Sequence, residues 1–177
     1  MTNTNAISLA DLGAAPLDAG APAYAHRLVD ALHRATPALL ALDDAATTRR
    51  SAPGKWSPRE IIGHLVDSAS NNHQRFVRMR DRDDLVVEGY EQDAWVAAQR
   101  YQDAPWAELV LLWMTYNRHL ARLMAATPAA DRERVRHSHN LHLRAFRPVP
   151  ADRPATLEYF MSDYVDHLEH HLAQVLG

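Results

Sequence analysis

The chain has 177 residues, 47% of them hydrophobic and 23% charged, the balance of one soluble globular domain able to bury its own core. A formal net charge of −3 argues against a nucleic-acid partner, and no apolar run is long enough to span a membrane. Cysteine is absent, so disulfides, thiolate metal ligands and a cysteine nucleophile are all excluded; the 11 histidines then become the residues to test for metal-ligand spacing.

Residues 1–21 are rich in Ala, Gly, Asn and Thr and read as a mobile N-terminal arm, without the basic and apolar regions of a signal peptide. A cytoplasmic location is the corresponding expectation. The folded domain is expected over 22–177. Tyr24, Leu28, Leu32, Leu39 and Leu42 recur near helical spacing and predict a first helix, with Pro37 positioned to kink or split it. A second helix opens at Ser57. Its hydroxyl can accept from the free first-turn N–H groups, Pro58 loses no hydrogen bond there, and Glu60 completes a capping box. This helix is expected to reach about residue 80.

A long crossover follows, with a short helix near residues 93–100. The third helix, from Pro105 to about residue 125, is apolar along Leu109, Leu112, Trp113, Tyr116, Leu120 and Leu123. A polar stretch leads to the last helix, from about residue 155 to Leu176. Leu85–Val87 and Leu141–Phe146 are short enough to be extended loops. The fold class is therefore all-α: a four-helix bundle with a long crossover between helices 2 and 3, whose length permits parallel neighbours.

Helix geometry ranks the histidines of the last helix. With Leu157 at zero and 100° per residue, the apolar side chains fall between about 300° and 40°. His171 lies at about 320°, His167 at about 280° and His170 at about 220° on the same wheel. His167 and His171 thus share an inward face one turn apart, the spacing at which two imidazoles can ligate one ion. Asp163 and Gln174 flank that border and are candidates to orient a ligand ring. Such a pair also arises by chance in a His-rich helix, and a site needs a third ligand from elsewhere.

On the second helix, His64 lies beside the apolar face in a column with Ser68, Asn71 and Arg75. That column is either a solvated helix face or the wall of a cleft. His26, His33, His73 and His119 compete as third ligands, as does the cluster His137, His139 and His142 in the polar loop. Spacing alone does not choose among them.

Three segments resemble the DinB superfamily, which includes YfiT-like proteins and thiol-dependent S-transferases. They are KWSPREIIGHLVDSASNNHQRF (residues 55–76), GYEQDAWV (Gly89 to Val96) and YVDHLEHHLAQVL (residues 164–176). The resemblance implies a four-helix bundle with a long crossover after helix 2, and a divalent ion, zinc or nickel, held by three histidines. By motif position these are His64, His167 and His171. It further implies an enzyme acting on a small molecule, by transfer of an external low-molecular-weight thiol onto an electrophile or by metal-dependent hydrolysis. A non-catalytic metal-binding stress or interaction protein is the third reading, and the family allows a homodimer. Arg144 and Arg147, in the loop before the last helix, are candidates to meet carboxylates of a thiol cofactor. Tyr90 and Trp95 are candidates to cover the pocket. No catalytic residue beyond the ligands is assigned.

Overall fold

The computed structural model describes residues 16–177. Most of the expected arm lies outside the described residues; residues 16–22 form no helix, and Leu17 packs against the core. Four long helices make the frame: α1 (Ala23–Leu40), α3 (Pro58–Met79), α5 (Trp106–Ala126) and α8 (Leu157–Leu176). Shorter elements join them: α2 (Asp44–Thr48), β1 (Asp84–Leu85), α4 (Gln92–Gln99), a 3-10 turn (Tyr101–Asp103), α6 (Ala129–Arg132), β2 (Ser138–His139) and α7 (Leu141–Arg144).

Local chemistry explains where α3 begins. Gly54 takes a φ of 75°, which glycine enters without steric cost, and turns the chain into Trp56. Ser57 then accepts from Glu60 N–H while the Glu60 carboxylate accepts from Ser57 N–H at 2.8 Å, the reciprocal capping box. Pro58 fills the first helical position. At the same end of the bundle, α1 runs unbroken through Pro37, so the proline does not split it.

The packing fixes the helix directions. α1 and α3 each pack against both α5 and α8. Tyr24, near the start of α1, reaches Met161 near the start of α8, and Arg27 reaches Asp166 and Glu169 further along, so α1 and α8 run parallel. Trp106 Nε1, at the start of α5, donates to Leu39 O at the end of α1, so these two are antiparallel. Phe76, late in α3, meets Phe160 and Tyr164, early in α8, while His64 meets His167 and His171; α3 and α8 are antiparallel. It follows that α3 and α5, consecutive long helices, run the same way. That is why the segment between them must travel the length of the bundle.

The crossover returns along α3 and is fastened to it. Tyr101 Oη donates to Asp67 Oδ1 at 2.7 Å, and Gln99 Nε2 donates to the same oxygen. The Tyr101 ring lies on Gly63, where any Cβ would overlap it. Arg59, buried, donates to Gln102 O and Ala104 O, both at 3.0 Å, to Thr47 Oγ1 and to Asp44. Every residue from Arg59 to Ala69 is consequently buried.

The strand readings need one correction. Asp84–Leu85 pairs in parallel with Ser138–His139. The Asn140 side chain then exchanges two hydrogen bonds with the Val87 backbone, at 3.0 and 2.8 Å, in place of a further strand residue. Beyond it, Leu141–Arg144 turns helical with Leu141 fully buried, so the expected extended run over Leu141–Phe146 does not form.

Candidate metal centre

His64 enters the bundle from the second turn of α3; His167 and His171 enter from the last turns of α8. Because α3 and α8 are antiparallel, the early histidine and the late pair meet at the same end. The three offer ring nitrogens that all lie within 4.8 Å of one another, and His64 Nε2 and His167 Nε2 are 3.3 Å apart. Tetrahedral ligation at zinc–nitrogen lengths places neighbouring nitrogens about 3.4 Å apart. Among the described residues this is the one group of three or more His, Asp or Glu side chains placed to hold an ion.

The protonation states suit ligation. Burial pulls the His64 imidazole down to about 3, with the nearby His171 ring adding to the effect. Burial also holds His167 well below the ordinary imidazole value, and neighbouring rings push it further down. His171 is lowered by burial too, partly offset by Gln174. Three neutral imidazoles whose ring nitrogens converge are a donor set that a cation satisfies. His64 Nδ1 is buried with no hydrogen-bond partner, consistent with a ring positioned by packing.

That packing comes largely from Trp56. Its ring lies 4.8 Å from the His64 ring and 6.4 Å from the His171 ring. Phe146 covers the other side, 5.6 Å from His167 and 5.1 Å from His170. The His171 Nδ1–H donates to Gln174 Oε1 at 2.8 Å, which aims Nε2 at the other two rings. Gln174 Nε2 donates in turn to His170 Nε2 at 3.1 Å, and His170 itself is exposed at the rim.

A cavity of about 320 Å³ opens from His167 and His171. Ser68 and Arg75 line it, as the helical column predicts, but Asn71 does not. Asn71 faces the neighbouring groove, and Asn72 takes its place in the wall with its amide held by Ser68. The signal was present: on the α3 wheel Asn72 is a polar residue inside the apolar arc. Asp163 also lines the cavity, yet touches no ligand ring; its two oxygens accept from Phe146 N–H at 2.8 Å and Arg147 N–H at 2.7 Å. It holds the loop that carries Phe146. Tyr90 lines the cavity, whereas Trp95 lies outside it, its ring 4.8 Å from that of Tyr90 and tilted against it. The solvated-face reading of His64 does not hold, since its side chain has 0% exposure.

The competing histidines have other partners. His139 Nε2 donates to Arg153 O at 2.6 Å and its Nδ1 accepts from Leu141 N–H, a structural role in the loop. His73 packs on His119 and Tyr116 midway along α3 and α5. No helix among the described residues is long and apolar enough to cross a membrane.

Comparison with known proteins adds three findings. The "Putative metal-dependent hydrolase YfiT" of Bacillus subtilis (strain 168) is 27% identical over 123 residues, 69% of this chain. The match spans 63% of that relative, less than two thirds of its length. A solved structure, described as "YfiT from Bacillus subtilis is a probable metal-dependent hydrolase with an unusual four-helix bundle topology", shares the fold. It has a TM-score of 0.69 and 19% identity, covering 86% of this chain and 81% of that one. The DinB superfamily profile matches residues 27–175, nearly the whole described chain, and the chain belongs to the DinB superfamily.

Proposed function

We propose that the protein is a divalent-metal-dependent hydrolase of small molecules, with His64, His167 and His171 as the ligands. The convergence of three neutral imidazoles on one point, beside a cavity, carries this reading. An ion bound there supplies a Lewis acid that acidifies a nucleophile and polarises an electrophile, with coordination positions left open. The chain's own residues do the rest. Trp56 and Phe146 exclude water from the ligand rings. Gln174 holds the His171 tautomer, and Ser68, Asn72 and Arg75 present hydroxyl, amide and guanidinium groups to the bound molecule. The cavity volume is near the lower end for ligand sites, room for one small substrate, and the name of the Bacillus relative points the same way.

Transfer of an external low-molecular-weight thiol onto an electrophile is the second reading, and one observation favours it. Asp163 is the one carboxylate lining the cavity, and both of its oxygens are engaged by backbone. Thiol attack needs only a lowered thiol pKa, whereas hydrolysis gains from a free general base. Zinc and nickel both suit an all-imidazole donor set. The deciding experiment loads the chelated protein with each metal. It then follows ester hydrolysis and, separately, the metal-dependent consumption of a small thiol by an electrophile. Hydrolysis without thiol supports the first reading and thiol-dependent turnover the second. Neither activity with metal bound leaves a metal-binding protein without catalysis. A cytoplasmic location and a homodimer remain part of the proposal, to be checked by fractionation and by mass in solution.

A further inference from the structure

The cavity carries two cations that no carboxylate among the described residues pairs with. Arg75, near the C-terminal end of α3, is half-buried; Arg144, the last residue of α7, is exposed and lines the same cavity. Among the described residues no carboxylate oxygen lies within 4.0 Å of either guanidinium. Other arginines of this chain, Arg27, Arg50, Arg59, Arg80, Arg132 and Arg147 among them, do face carboxylates. The one acid lining the cavity, Asp163, is spent on two backbone N–H groups.

The Arg75 guanidinium is held in place by two hydrogen bonds. Arg75 donates from Nη1 to Asn72 Oδ1 at 3.3 Å and from Nη2 to Glu88 O. The exposed Arg144 brings its guanidinium against Gly89, the next residue of the crossover, where any side chain would displace it. The Glu88–Gly89 backbone thus seats the two heads side by side. Burial lowers the Arg75 pKa, the Tyr90 hydroxyl opposes that shift, and the Arg144 charge adds to it, so the two cations feel each other. Two like charges brought together, that of Arg75 at the cost of desolvation, each with N–H donors to spare, form the receptor half of a charge-assisted contact.

We infer that Arg75 and Arg144 form an oxyanion subsite, and that the small molecule taken by this cavity carries a carboxylate or phosphoryl group at the end away from the three histidines. This rests on the metal-site reading for its orientation, but the anion subsite exists with or without the ion. Tyr90 and Ser68, which line the same wall, leave the subsite polar without adding negative charge.

The test is calorimetric titration of the full chain, stripped of metal by chelator, at pH 8 and constant ionic strength. Succinate and inorganic phosphate are the two probes. At least one binds the metal-free protein, and the better one names the group: succinate a carboxylate, phosphate a phosphoryl. Arg144→Gln, at an exposed position that leaves the fold intact, weakens that binding by about tenfold, the loss of a charge-assisted contact. Gly89→Ala, which displaces the same guanidinium without removing its charge, weakens it as well. Arg147→Gln, three residues along the same loop but paired with Asp166, leaves it unchanged. If neither probe binds, or if Arg144→Gln binds as tightly as the natural protein, the subsite is wrong. Metal content measured on the same preparations reports separately on the histidine site. Unchanged metal in His64→Ala would sink that reading while leaving the anion result standing.

Discussion

At the residue scale, the three histidines are committed by burial. His64 has no exposed surface and sits under Trp56, so its charged form is disfavoured. Substituting His64, His167 or His171 by Ala is expected to lower metal affinity by at least about 100-fold, and Gln174→Ala by about 10-fold, read by metal analysis after dialysis. The same burial gives the metal-free protein a pH signature. Each of these rings binds fewer protons folded than unfolded between its depressed folded pKa and the ordinary imidazole value. Their stabilising effect is therefore complete above about pH 6.5 and is lost as pH falls, at up to about 1.4 kcal/mol per pH unit per ring. Asp67 and Asp163, raised by burial, act in the opposite sense, so the comparison must be between proteins that share them. Thermal melting of metal-free protein from pH 7.5 to 5 is expected to show a steeper decline for the natural chain than for His64→Gln. Equal slopes would mean that the imidazole is not buried as described.

At the element scale, α3 is held by its cap, its Gly63 face and its Arg59 and Asp67 anchors. Gly63 decides the sign of one test. In an exposed helix, Gly→Ala stabilises by up to about 1 kcal/mol. Here the new methyl would drive into the Tyr101 ring, so Gly63→Ala is expected to destabilise by about 1–3 kcal/mol in a denaturant titration. Gly63 immediately precedes His64, and the displaced crossover should weaken metal binding too; a neutral or stabilising result would show that the crossover gives way freely. The far end of α3 has its own lock. Arg136, 1% exposed, donates to Met79 O at 3.0 Å and to Arg82 O at 3.0 Å, closing carbonyls the helix end leaves free.

At the scale of the whole molecule, the antiparallel placement of α3 and α8 makes any ion at the three histidines a tie between the second turn of one helix and the last turns of the other. Metal at 100 times its dissociation constant is expected to add about 2.7 kcal/mol of stability. For a chain of this size that raises the melting temperature by roughly 5–10 °C. Chelator should reverse the shift, and His171→Ala should abolish it. A melting temperature that ignores metal would leave the histidines as packing groups.

Much of this was legible along the chain because it depends on neighbours in sequence. The Ser57–Glu60 capping box, the inward face shared by His167 and His171, and the long crossover follow from helix period and capping chemistry, which act over three or four residues. His64 is different. Its wheel position beside the apolar arc left open whether it faced solvent, because the groups that cover it lie far away in sequence: Tyr101 over Gly63, and α8 from the other side. Asn72 rather than Asn71 lines the cavity for the same reason, since α8 and the loop before it set the direction of the opening. The sequence by itself determined the four long helices and two of the three histidines' shared face. Only tertiary structure decided the third partner and the seating of Arg75 beside Arg144, because both depend on contacts that no local periodicity encodes.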